Sequence, residues 1–200
     1  MNSSKILVTG FKPFRNEPIN PSEKIVEMLS ARHDVDTLVL PVTFMGSFEV
    51  LKKHLEANGP YKALMMIGQA AGRKAMSLER VALNWCESRY ADEEQYRPDL
   101  QKPLVSGAPS SYISDFFPTQ WAEDLSKIAP TSVSFTAGTY VCNALYFQTL
   151  HYLKNSSPAL FVHVPMLPEQ VLDKPGMDSM PLLLQFQVID ELVDKLLDLP

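Results

Sequence analysis

Only two of the 200 residues are cysteine, Cys86 and Cys142. Two thiols make no disulfide framework, and in a reducing compartment at least one of them is a free thiol. The two cysteines and four histidines show no C-x-x-C or H-x-x-x-H spacing, so no metal site is expected. There is no basic block and the formal net charge is -5, which argues against nucleic acid as a partner. No apolar run approaches the length of a membrane span, and Met1-Asn-Ser-Ser-Lys5 leads straight into a short strand with no apolar leader. The expectation is a cytoplasmic protein that meets neither nucleic acid nor membrane. The Gly68-Gln69-Ala-Ala-Gly-Arg73 turn is followed by no Gly-Lys-Ser/Thr, which excludes a phosphate loop. The turn after the first strand, Thr9-Gly10-Phe11, lacks the further glycines of a dinucleotide fingerprint. No internal repeat and no low-complexity tail interrupts the chain.

What is present is an ordinary globular balance, 46% hydrophobic and 20% charged, and enough chain for one domain over 1–200. Lys5 to Gly10, Tyr61 to Gly68 and Ala159 to Pro165 are compact apolar runs stopped by Gly or Pro, and read as buried strands. Asp34 to Pro41, Val81 to Leu83 and Thr131 to Phe135 add shorter strands. Helices are expected over Pro21–Ser30, with Asn20 as N-cap, and over Phe44–Asn58, Pro118–Ile128, Ala144–Leu153 and Met180–Leu197. From Trp85 to Ser111 periodicity is lost, which marks a functional or mobile stretch. Strands alternating with helices imply an α/β protein, a mostly parallel twisted sheet with helices on both faces. Ligands of such sheets bind beyond the carboxyl ends of the strands.

Several chemically capable residues fall near those ends. Thr136-Ala-Gly-Thr-Tyr-Val-Cys-Asn143 joins a strand to a helix, with Thr139 as a candidate N-cap and Cys142 in the first turn. A thiol there feels the helix dipole, which favours the thiolate, and the free N–H groups suit an acyl-transfer oxyanion. His163 lies inside an apolar strand, where an imidazole needs a polar partner. Glu79 is a candidate to orient that ring. Phe11 and Phe14, on a loop after the first strand, either line an apolar pocket or plug the edge of the core. Taken singly, each of these residues also has a purely structural reading: a buried cysteine, a core histidine bonded to backbone, a salt-bridged glutamate.

The blocks Thr9-Gly10-Phe11-x-Pro13-Phe14 with Asn20-Pro21-Ser22, Gly68-Gln69-Ala70-x-Gly72-Arg73, Glu79-Arg80-Val81-Ala82-x-Asn84, Thr136 to Asn143, and His163-x-Pro165-x-x-Pro168-Glu169-Gln170 together resemble the type I pyroglutamyl peptidases (pyrrolidone-carboxylate peptidases), in order and spacing. The resemblance implies an α/β/α sandwich without a cofactor, often a homotetramer, acting on peptides with an N-terminal pyroglutamyl residue through a thioester acyl-enzyme. It implies Cys142 as nucleophile, His163 as general base and acid, Glu79 as the group orienting His163, and Arg89 as a holder of the oxyanion. Phe11, Phe14, Gln69, Tyr140 and Val141 would form the substrate pocket. Lys12 stands where the family has an acid, Arg15-Asn16 where it has paired glycines, and Tyr90-Ala-Asp-Glu93 where it has Ile-Pro-Asp-Asn. Ala144 replaces a common histidine, and the C-terminal part is shorter. These departures carry the alternative reading, a diverged homologue that binds such N-termini, or assembles as a structural partner, with little turnover.

Overall fold

The computed structural model describes residues 5–98, 102–154 and 156–200. Among the described residues, eight strands and five α-helices follow in the order β1 (Ile6–Phe11), α1 (Pro21–Leu29), β2 (Val35–Leu40), α2 (Gly46–Asn58), β3 (Ala63–Gln69), β4 (Met76–Glu79), β5 (Val81–Leu83), β6 (Ser111–Ile113), α3 (Gln120–Leu125), β7 (Thr131–Ser134), α4 (Val141–Leu153), β8 (Ala159–Val164) and α5 (Leu182–Leu197). Six of the strands form one sheet in the order β2-β1-β3-β8-β4-β7. The first four run parallel, and β4 is antiparallel to β8 and parallel to β7. The mostly parallel α/β/α architecture expected from the alternation is the one observed.

Strand parity sorts the side chains between the two faces. Ile6, Val8, Met65, Ile67, Met76, Leu78, Leu160 and Val162 pack with α1, α3 and α5 in one core cluster. Leu7, Phe11, Leu64, Met66, Ala159 and Phe161 pack with α2 and α4 in the other. By the same alternation Gly68, Glu79 and His163 belong to the α4 side of the sheet. That side is also where α4 presents its N-terminus, so three separate strands deliver their chemistry to one layer.

Local chemistry explains most boundaries. Asn20 caps α1, its side chain accepting from the backbone N–H of Ser22, with Pro21 in the first turn. The second helix begins at Gly46 rather than Phe44; ahead of it the Phe44 N–H donates to the Asp92 carboxylate at 2.9 Å. The third is shorter than the 118–128 span expected. The Ser126 hydroxyl bonds back to Ala122 O and across to Thr131 O, which turns the chain out of the helix. Three elements were not expected: β4, which carries Glu79 into the main sheet, β6, which pairs antiparallel with β5, and a 3₁₀ turn over Pro168–Gln170. Among the described residues no helix is long and apolar enough to cross a membrane.

Candidate active site

Glu79 ends β4 and is fully buried, although most glutamates are exposed. Its Oε1 lies 2.7 Å from His163 Nδ1. A carboxylate only accepts, so Nδ1 carries the proton and Nε2 is left as an acceptor. Gly68 is the register partner of His163 on β3. A Cβ built on Gly68 would stand 2.8 Å from Cys142 Sγ and 2.9 Å from the Phe161 ring. The thiol therefore rests on the bare backbone of the residue paired with His163, and this close approach is what requires glycine. Gly68→Ala is expected to force Cys142 or Phe161 aside and cost about 1–3 kcal/mol, a fall in melting temperature of several degrees. A melting curve superposable on that of the wild type would show that the crowding relaxes freely.

Cys142 is the second residue of α4, as the spacing implies, but the helix is entered differently. The N-cap is Tyr140, without a side-chain cap, and Thr139 instead donates its hydroxyl to Glu87 O at 2.7 Å. Asn143, fully buried, anchors the first turn: its Oδ1 accepts from Leu83 N, and its Nδ2 donates to Leu83 O and Trp85 O. The expectation of a thiolate is corrected. Burial pushes the Cys142 thiol up to about 12, the charge of Glu79 adds to this, and Arg73 opposes it. Burial likewise pulls His163 below its ordinary range against the pull of Glu79. The helix dipole is outweighed by desolvation and a nearby carboxylate. The resting pair is a neutral thiol beside a neutral imidazole.

A small cavity of about 30 Å³ opens beside the thiol, lined by Phe11, Phe14, Asn20, Val42, Gln69, Tyr140, Val141 and Cys142. All five residues expected to form the substrate pocket are among them. Phe11 is both lining and core, so the two readings of that aromatic are compatible. The Gln69 carbonyl accepts from Gln170 Nε2 at 3.1 Å, which leaves the Gln69 amide N–H groups for a ligand. Asn20 and Val42 were missed as liners; Asn20 was legible only as a cap.

Residues 99–101 of the stretch after Trp85 lie outside the described residues; the part from 85 to 98 is irregular but stitched down as the outer wall. Asp92, buried, accepts from the N–H groups of Phe44, Glu94 and Tyr96, and Tyr140 donates to Ala91 O. Arg15 and Asn16 occupy the left-handed region at φ 53° and 61°, so the backbone that paired glycines would permit is reached without them. The Arg15 amide bonds Glu93 Oε1, and its guanidinium lies 3.8 Å from the centre of the Tyr90 ring. The two departures from the family pattern are thus partners of one another. Arg89 is exposed on the same wall and does not line the cavity. Cys86 is buried, free and pushed up by burial, with no place in the cluster.

A thiol at a helix start, an imidazole held by a carboxylate and an adjoining apolar cavity compose the working parts of a thiol-dependent acyl hydrolase. The model of the pyroglutamyl peptidase family matches residues 4–193. A pyrrolidone-carboxylate peptidase of Thermococcus kodakarensis is 42% identical over 178 residues, covering 86% of this chain and 85% of that protein. One from Staphylococcus aureus is 39% identical, covering 88% and 86%. Among solved structures, the pyrrolidone carboxyl peptidase of Fervidobacterium islandicum superposes with a TM-score of 0.89 at 36% identity, covering 96% of this chain and 97% of that one. Pyroglutamyl peptidase I of Bacillus amyloliquefaciens gives 0.90 at 30% identity, with 96% of each chain covered. The chain belongs to the pyroglutamyl peptidase family.

Proposed function

We propose that this chain, as a single peptidase domain over 1–200, removes the N-terminal pyroglutamyl residue from peptides with Cys142 as nucleophile, His163 as general base and acid, and Glu79 orienting His163. The observation that carries the assignment of roles is the buried 2.7 Å contact of His163 Nδ1 with Glu79 Oε1, on the strand beside the residue that supports the Cys142 thiol. Because the resting pair is neutral, the thiol proton passes to His163 Nε2 as Sγ attacks the pyroglutamyl carbonyl carbon. The N–H groups at the start of α4 face the developing oxyanion, with Arg89 assigned by family resemblance as a further donor. His163 then gives its proton to the departing amine, the C–N bond breaks and a thioester remains. Water, deprotonated by His163, attacks the thioester carbon; pyroglutamate leaves and the thiol is restored.

The cavity fits a neutral lactam. Phe11, Phe14, Tyr140 and Val141 offer apolar surface, and Gln69 offers an amide for the ring. A charged glutamyl N-terminus would be stripped of water without an opposite charge to meet it. The test is release of aminocoumarin from L-pyroglutamyl, L-prolyl and L-glutamyl derivatives under reducing conditions. Turnover of the first alone supports the reading; no turnover of it, or comparable turnover of the prolyl derivative, sinks it.

The Arg15–Tyr90 stack supports the loop that carries Phe14, and Arg15→Ala is expected to raise KM by about 2- to 5-fold with kcat unchanged. A fall in kcat instead would tie that loop to the chemistry. A homo-oligomer, tetramer or dimer, and a cytoplasmic location complete the reading. The first is supported by family resemblance and by the large exposure of Leu172 and Leu183, 86% and 61%. Light scattering of the purified chain giving a monomer mass would dismiss it. The second is supported by the free thiols, and fractionation of the source cells tests it.

A further inference from the structure

Arg73 has no part in the mechanism so far. Its Nη1 donates to Glu79 Oε1 at 2.6 Å, the same oxygen that meets His163 Nδ1 at 2.7 Å. The other carboxylate oxygen, Oε2, is buried with no hydrogen-bond partner among the described residues. Arg73 Nη2 donates to Thr136 O at 2.9 Å, in the turn that leads into α4. One guanidinium therefore ties the end of β4 to the segment that sets Cys142, while its own side chain remains about a quarter exposed beside a fully buried glutamate.

We propose that Arg73 is a positioning residue for the Cys142–His163 pair, fixing Glu79 through the one oxygen that also fixes the imidazole. The proposal rests on the roles given above to Cys142, His163 and Glu79. A carboxylate bonded through a single oxygen can rotate, and two donors converging on Oε1 remove that freedom. The cation also answers the charge of a fully buried carboxylate; a buried carboxylate without a cation favours its neutral form. Protonated Glu79 donates where it should accept. The His163 Nδ1–H then loses its partner, and the tautomer that leaves Nε2 free to take the thiol proton is no longer selected. The titratable and charged groups around His163 are Glu79 from β4, Cys142 from α4 and Arg73 from the turn after β3, and Tyr146 from α4 bonds the Glu79 backbone carbonyl.

The pH consequence lies in the imidazole. Burial, helped by Arg73, holds His163 below its ordinary range, so without that cation His163 takes up a proton more readily. Activity needs the imidazole neutral, so the acid limb of kcat/KM moves to higher pH. Arg73→Gln is expected to lower kcat by about 10- to 100-fold at the wild-type optimum, leave KM within about 2-fold, and displace the acid limb upward by about one pH unit. Arg73→Lys keeps the charge without the fork and is expected to recover most of the limb position and part of kcat. A residue that served only the fold would lower activity equally at all pH values, in step with the melting temperature.

A folded Arg73→Gln variant whose acid limb superposes on the wild type, or whose loss lies in KM alone, overturns the proposal. A second readout does not require turnover: the low-field proton resonance of His163 Nδ1–H. It is expected to persist to lower pH in the wild type and in Arg73→Lys than in Arg73→Gln; identical pH dependence in all three also overturns the proposal. Failure of the wild type to release pyroglutamate would defeat the catalytic reading, and the resonance would still decide the role of Arg73 toward Glu79.

Discussion

Cys142→Ala is expected to leave no release of aminocoumarin above background, a loss of at least about 10⁴-fold in kcat, with a fold and melting temperature close to those of the wild type. Only a thiol is removed, from a position where Sγ lies over the Gly68 backbone. The first turn keeps its anchor, because Asn143 makes its three bonds to the Leu83–Trp85 segment independently of the thiol. The lactam cavity is also intact, so the variant should still bind a pyroglutamyl peptide without cleaving it. Calorimetry with an uncleaved peptide separates these two properties. Residual thiol-dependent turnover in the folded variant would point to Cys86, which nothing in the geometry favours. The neutral resting thiol adds a kinetic signature. Iodoacetamide should label Cys142 slowly at pH 6 to 7 in the ligand-free protein, since burial holds it far above that range. Rapid labelling at pH 6 would mean that a preformed thiolate is the resting nucleophile.

Glu79→Gln is expected to lower kcat by about 10³- to 10⁴-fold, less than the loss of the nucleophile and with little change in KM, the scale found when the orienting carboxylate of a catalytic triad becomes an amide. The argument is electrostatic. Glu79 Oε1 receives two donors, His163 Nδ1–H and Arg73 Nη1–H. A glutamine oxygen in the same place can accept from both, and its NH₂ group then takes the buried place of Oε2, where no acceptor among the described residues meets it. What is lost is the negative charge that stabilises the imidazolium formed as the thiol proton passes to Nε2, and the buried, unpaired NH₂ group loosens the hold on the ring. Cys142 and His163 remain in place while the transfer between them is disfavoured. Activity equal to the wild type would remove Glu79 from the mechanism.

Much of this was legible before any coordinates. The apolar runs of β1, β3 and β8 end in residues that stop a buried strand, and Asn20-Pro21 announces α1 through a cap and a pre-set φ. Strand parity then places His163 on the same face as Phe161; Glu79, expected beside a strand, is placed on the face opposite Leu78 only by the pairing of β4 with β8 and β7. What could not be read depends on burial and on contacts distant in sequence. The dipole at the start of α4 is a local property, whereas the protonation of Cys142 is set by how deeply the thiol lies and by a carboxylate 63 positions earlier in the chain. Arg73 stood in plain view within the Gly72-Arg73 motif, but its partner is named only by the fold. The available signal was indirect: a glutamate ending an apolar strand needs a cation once buried. The three-residue strand β6 carries too few side chains to show a period, and Asp92 looked like any acidic loop residue until three backbone N–H groups were found to converge on it.

The Arg15–Tyr90 contact bears on time rather than on chemistry. Phe14, on the loop that Arg15 belongs to, lines the cavity beside the thiol. The Glu79–His163 contact is buried, whereas the stack of Arg15 on Tyr90 is exposed and worth about 0.5–1 kcal/mol. An exposed contact that weak opens more readily than the buried ones, so motion of this wall is expected to begin at this latch and not among the reacting groups.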